Sequence, residues 1–213
     1  MYKKEGIDWE NLKERCRINF RNHPDGAGIM VRSHNGIVFK KGFDDWKSVY
    51  KYAGKIDIDT ECAVHFRTKS DGKINAEMCH PFSLDDVVLK KTKGIVTRAL
   101  MHNGIINPLS YNKSEYSDTY RLAKLLAGYT SEELTFDDRL YDLVKAMIGY
   151  DRAIIFTDIG TIKWGAWQEY KGIEYSNKSF KKVKRIYKTG RYFTDDYYLE
   201  KNKDGTYERV YFD

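Results

Sequence analysis

Proline is almost missing from this chain. Three prolines in 213 residues leave no room for proline-rich linkers. Cysteine is equally scarce. Cys16, Cys62 and Cys79 are odd in number, so they cannot all pair within one chain, and their spacing fits no metal site. A reducing cytoplasm is the expected setting. No apolar run approaches the ~20 residues that a membrane-spanning helix needs. The stretch from Tyr2 to Asp8 is polar, so no secretory leader is expected, and no membrane partner. Internal repeats and low-complexity segments are also lacking.

Aromatic residues, in contrast, are plentiful. They make up 15% of the chain, with 17 tyrosines and 4 tryptophans, enough ring area for a sizeable core. The hydrophobic fraction is 41% and the mean hydropathy is -0.66, which predicts a very polar surface. A chain of 213 residues fits one domain, or one domain with an appendage. The net charge is +6. Part of it is concentrated in Lys178, Lys181, Lys182, Lys184, Arg185, Lys188 and Arg191, with no acid between them. Contact with nucleic acid is one reading of this stretch, with Tyr187, Tyr192 and Phe193 available for stacking. A lysine-rich soluble protein is the other.

Periodicity predicts a mixed α+β chain. Trp9, Leu12, Cys16 and Phe20 form a helical stripe after Asp8, a candidate N-cap. Ile29–Arg32 and Gly36–Lys40 read as a hairpin with Asn35-Gly36 in its turn. Asp44–Tyr52 reads as a short helix, and Cys62–Arg67 as an apolar strand ending in a charge. Val87–Lys91 could edge a sheet, and Gly94–Met101 reads as one strand. Helices are expected over Asp118–Leu126 and Phe136–Ile148. Arg152–Thr157 and Ile162–Trp167 pair as a hairpin. A last hairpin turns about Asn202-Lys203-Asp204-Gly205. Cys16 and Cys62 are predicted to lie in the core.

Five short stretches carry the chemistry: Asp25-Gly26-Ala27-Gly28-Ile29, His65-Phe66-Arg67, Cys79-His80-Pro81-Phe82, His102-Asn103-Gly104-Ile105-Ile106 and Ser117-Asp118-Thr119. Arginine at a strand end suits a carboxylate, because its planar guanidinium makes two parallel hydrogen bonds. Asn-Gly can aim a carboxamide and a backbone N–H at one oxyanion, glycine allowing close approach. It is also a common hairpin turn. Aspartate can hold an ammonium, but Ser-Asp before an apolar run is an ordinary helix cap as well.

In order and spacing the five stretches resemble the glutaminase domain of class II glutamine amidotransferases, which are N-terminal-nucleophile hydrolases. The resemblance runs from Gly6 to Asn177, ending on Tyr175-Ser176-Asn177. It implies a four-layer αββα sandwich over residues 1–177, with residues 178–213 as a basic extension ending in a β-hairpin and packed on that domain. It implies a glutamine-type pocket with Arg67 on the α-carboxylate and Asp118 on the α-ammonium. Asn103 and Gly104 would form the oxyanion hole, with His102, Asn75 and His80 shaping the site. The glycine-rich stretch at Asp25 would pack beside the nucleophile's strand. No cofactor is implied.

The family's chemistry starts from Met-Cys, where the cysteine's own α-amine activates its thiol. Here Met1 is followed by Tyr2. A phenol with a pKa of about 10 is a poor replacement, and its bulk predicts that Met1 is retained. The family's first apolar strand is expected to be absent or replaced. Cys79 beside His80 is the remaining thiol candidate.

Three functions stay open at this point. One is a pseudoenzyme that binds an amino acid or a larger amino-acid-like ligand without turnover, or regulates a partner. Another is a glutaminase that feeds ammonia to a separate synthase, if the true start includes Met-Cys. The third is a nucleic-acid-associated protein using Lys178–Arg191. The compact chain also resembles bacteriophage-encoded proteins, which would place it in a host cytoplasm, with a host protein as the partner.

Overall fold

A computed structural model describes residues 1–3, 9–56, 60–70, 72–85, 91–111, 114–178, 197–201 and 207–211. Within them the chain is mixed α+β, with five α-helices and antiparallel sheets. The larger sheet collects β1 (Tyr2–Lys3), β2 (Ala27–Ser33), β3 (Gly36–Phe43), β4 (Cys62–Phe66), β6 (Lys93–Val96), β10 (Gln168–Tyr170) and β11 (Ile173–Tyr175). Its order is β10-β11-β1-β4-β2-β3-β6. The smaller sheet runs β5-β7-β8-β9, from β5 (Phe82–Ser83), β7 (Arg98–Asn103), β8 (Arg152–Thr157) and β9 (Thr161–Trp164). A separate hairpin pairs β12 (Tyr197–Lys201) with β13 (Tyr207–Tyr211).

Side-chain alternation along the strands decides what packs where. Ala27, Ile29 and Val31 of β2 point to one face of the large sheet and join Val64 and Phe66. They meet Leu12, Cys16 and Phe20 of α1 (Trp9–Asn22) and Val49 of α2 (Trp46–Ala53). Met30, between Ile29 and Val31, points the other way. With Ile37, Phe39 and Ala63 it packs against Ala99 and Met101 of β7 and Ile154 and Phe156 of β8. The alternate residues of those same strands, Leu100, Ala153 and Ile155, face a third cluster. There they meet Leu122 and Leu126 of α3 (Asp118–Leu126), Leu134 of α4 (Ser131–Phe136), and Leu140 and Val144 of α5 (Asp138–Ile148). Among the described residues, one of these clusters joins α1 and α2 to the large sheet, one joins the two sheets, and one joins the small sheet to α3, α4 and α5. Arg32 ties the sheets together: it pairs with Glu61 at 2.6 Å and donates to Gly160 O at 2.9 Å and to Thr161 Oγ1 at 2.8 Å.

Several elements depart from the sequence reading. The expected single strand Gly94–Met101 breaks at Thr97, and its halves enter different sheets. Asp85 accepts from the Thr97 N–H and hydroxyl and from Arg98, so the amide at the crossing is satisfied without a strand partner. The expected helix from Phe136 starts instead at Asp138. Asp137 caps it, and α4 precedes it with a Thr130–Glu133 capping box. The first hairpin turns on His34 and Asn35 and not across Ser33-His34-Asn35: Ser33 stands opposite Gly36 and belongs to the strand. Asp8, the stretch 87–90 and nearly all of the basic segment after Lys178 lie outside the described residues. Among those described, no helix is long and apolar enough to cross a membrane.

The expectation of a missing first strand is overturned. β1 lies between β4 and β11, with Tyr2 opposite Ala63 and Glu174. Two backbone bonds extend the pairing to Met1, whose amino group donates to Val64 O and whose carbonyl accepts from Val64 N–H, each at 2.7 Å. Two residues suffice because neighbouring strands bond them on both sides. The glycine-rich β2 does not lie beside β1, since β4 intervenes.

Candidate functional site

A cavity of about 260 Å³ opens where β4 and β7 end and α3 begins. Arg67, His80, His102, Asn103, Gly104 and Asp118 all line it. Arg67 is 4% exposed although it follows the last residue of β4. Its N–H donates to Gly26 O at 2.8 Å and its carbonyl accepts from Asp25 N–H at 3.0 Å, so the turn before β2 fixes its backbone. Its Nη1 donates to Lys73 O at 2.8 Å. Burial lowers the guanidinium pKa, and the fields of Cys79, Asp25 and Asp118 oppose that shift. An arginine stays charged in such a setting.

Asp118 is the first residue of α3, and Ser117 is its N-cap, accepting from Tyr120 N–H at 3.1 Å. Capping therefore falls to the serine, which leaves the buried aspartate to the cavity. Asp118 Oδ2 accepts from Ile106 N–H and Oδ1 from Thr119 N–H, both at 2.7 Å. Thr119 Oγ1 also donates to Oδ1 at 3.3 Å; a carboxylate has about four acceptor positions, so these three protein donors leave one for an ammonium ligand.

His102 ends β7 with Asn103. Its Nδ1 lies 3.2 Å from Thr119 Oγ1, and its Nε2 lies 3.3 Å from Asp151 Oδ2 without hydrogen-bond geometry. Gly104 has φ +146°, and a Cβ there would come within 1.9 Å of Asp151 Cγ. Asp151 Oδ2 also accepts from Ile105 N–H at 2.8 Å. The Asn103–Ile106 loop is thus held by carboxylates at two consecutive amides.

His80 is buried, and its ring lies 4.1 Å from that of His65. Its Nδ1 accepts from His102 N–H at 3.4 Å. The His80-Pro81 peptide is cis. The glycines of the Asp25 stretch seat this loop: a Cβ at Gly28 would fall 1.8 Å from His80 O, and one at Gly26 would fall 2.5 Å from Cys79 Sγ. Burial first, and then positive neighbours, hold the His65 and His80 pKa values well below 6.5, so both rings are neutral at pH 7. His65 Nδ1 is sealed from solvent without a hydrogen-bond partner.

Met1 lines a small annex of about 30 Å³ that shares His23, His65, Phe66, Asn103 and Asn177 with the main cavity. Burial holds its amino group down to a pKa of about 6. The three thiols stand elsewhere. Cys16, Cys62 and Cys79 are buried, and none lines the cavity. Cys79 Sγ donates to Asp25 O at 3.8 Å and Asn75 O at 3.5 Å, and burial raises its pKa. That is the reverse of what an activated nucleophile requires. Asn75 does not line the cavity either. It is exposed, and its Oδ1 caps the short 3₁₀ turn Ala76–Met78 by accepting from Met78 N–H at 2.9 Å.

A larger depression, of about 830 Å³, lies at the other end of β4, lined by Val31, Arg32, Tyr52, Ile56 and Glu61 among others. Its Arg32 and Glu61 are engaged with each other, and Arg32 with the β8–β9 turn as well. The smaller cavity is the candidate site because its polar groups do converge. Sequence reasoning overlooked one residue that lines it, His65, and one that stands behind its loop, Asp151. His65 sat inside a quoted stretch but read as a plain strand residue. Asp151 belongs to none of the five stretches, and only its place against Gly104 distinguishes it. No protein-family model matches this chain, and no curated protein matches it significantly.

Proposed function

We propose that this protein carries the glutamine pocket of a class II amidotransferase and binds the zwitterionic end of glutamine or a similar amino acid. The observation that carries the reading is that Arg67, Asn103, Gly104 and Asp118 line one cavity of about 260 Å³. A guanidinium, a carboxylate and an Asn-Gly loop match a carboxylate, an ammonium and a side-chain carbonyl. The cavity is worth roughly nine waters of volume, a size suited to a free amino acid. The alternation of helices, sheet, sheet and helices supports assigning the chain to the four-layer αββα architecture of N-terminal-nucleophile hydrolases.

Binding without turnover is the reading favoured by the thiols, all three of which lie outside the cavity. One observation favours glutamine hydrolysis as a second reading: β1 brings residue 1 beside His65 and Asn103. A cysteine delivered there would stand next to the oxyanion donors.

Titration calorimetry with L-glutamine tests the proposal. Wild type should bind it, and Arg67→Lys should weaken binding tenfold or more, because a point charge cannot replace two parallel hydrogen bonds. Absence of binding by wild type, or equal binding by Arg67→Lys, would refute the pocket. Ammonia release that Asn103→Ala abolishes would establish hydrolysis instead of binding alone.

A further inference from the structure

We infer that Asp151 is a positioning residue for the Asn103–Ile106 loop, setting the pocket's preference for ligands with a side-chain carbonyl. The inference rests on the amino-acid-binding reading above. Asp151 stands in the turn between α5 and β8, far in sequence from the five stretches, and it does not line the cavity. It therefore acts through the loop.

Its Oδ2 accepts from Ile105 N–H at 2.8 Å, and Asp118 Oδ2 accepts from Ile106 N–H at 2.7 Å. Two carboxylates from different elements thus fix consecutive peptide planes. The plane they leave to the cavity is the one before, at Gly104. The Asp151 carboxylate fills the space that a Cβ at residue 104 would occupy, so the residue-104 backbone is backed against it. It also lies 3.3 Å from His102 Nε2, and His102 Nδ1 reaches Thr119 at 3.2 Å. Thr119 in turn donates its N–H to Asp118. A polar chain His102–Thr119–Asp118 therefore runs from the start of the loop to the ammonium site, and Asp151 approaches it at His102 without a hydrogen bond. Without Asp151 the Ile105 amide loses its acceptor, and the Gly104 plane is free to turn away from a ligand carbonyl.

The test compares L-glutamine with L-norvaline, which keeps the zwitterion and chain length but lacks the carboxamide. Wild type should prefer glutamine. Asp151→Ala should reduce that preference about fivefold or more, the scale of one hydrogen bond, with norvaline affinity unchanged within about twofold. Asp151→Asn retains an oxygen acceptor for Ile105 N–H and should restore most of the preference. Should Asp151→Ala fail to fold, Asp151→Ser, whose side chain stops short of that amide, should give the same split. Equal weakening of both ligands would mean that Asp151 only supports folding, and an unchanged preference would likewise overturn its positioning role. Wild type that binds neither ligand, or both equally, would overturn the pocket reading and this inference with it.

Discussion

Replacing Gly104 with alanine should cost about 2–6 kcal/mol of folding stability, read as a shift in urea midpoint. Two terms add. A non-glycine residue at φ +146° is strained by about 1–3 kcal/mol. The new Cβ would also come within 1.9 Å of Asp151 Cγ and 2.1 Å of both its oxygens. The carboxylate must then move off Ile105 N–H, leaving that amide without its acceptor at a cost of about 1–3 kcal/mol. The second term depends on Asp151 and the first does not. In an Asp151→Ala background the alanine at 104 should therefore cost about 1–3 kcal/mol less than in wild type, a coupling that a double-mutant cycle reads directly. Identical costs in the two backgrounds would show that backbone strain alone explains the glycine.

Acid should destabilise the protein well above the range in which carboxylates titrate. In the folded state His65 and His80 have pKa values held far below 6.5, by burial first and then by positive neighbours: the Met1 amine, His23, His102 and Arg67 around His65, and His65, His102, Arg67 and Lys41 around His80. In the unfolded chain each titrates near 6.5. Below that pH the unfolded chain takes up protons that the folded chain refuses, so stability falls as pH falls. The slope approaches about 1.4 kcal/mol per pH unit for each ring, or about 2.7 for the two together, and it continues until the folded-state values are reached. Urea unfolding between pH 6.5 and 4.5 measures it, and His80→Gln should roughly halve the slope. A flat profile across that window would mean that the rings carry a proton in the folded protein.

Legibility from sequence followed the range of the interactions. Short continuous apolar runs disclosed β4 and β8, and a 3.6-residue stripe disclosed α3, because each pattern is set by a chain segment's own burial. The break at Thr97 was hidden because Asp85, twelve residues upstream, supplies the bond that lets the strand leave its sheet. The α4 capping box at Thr130 and Glu133 was written in the sequence and went unread. The two-residue β1 has no period to detect, and it forms only because β4 and β11 flank it. In the pocket, Arg67, Asn103, Gly104 and Asp118 were recognisable as a set from their order along the chain. Asn75 was drawn in by its neighbours, and its side chain serves a local cap. Asp151 was missed because a loop contact at a separation of 46 residues leaves no local signature.

A crystal structure determined with L-glutamine tests the central claim most directly. Glutamine should lie in the cavity beneath Arg67, with its α-carboxylate on the guanidinium, its α-ammonium on Asp118 and its side-chain carbonyl at the Gly104 amide. A cavity without glutamine at saturating concentration, or glutamine seated in the depression at the other end of β4, would contradict it.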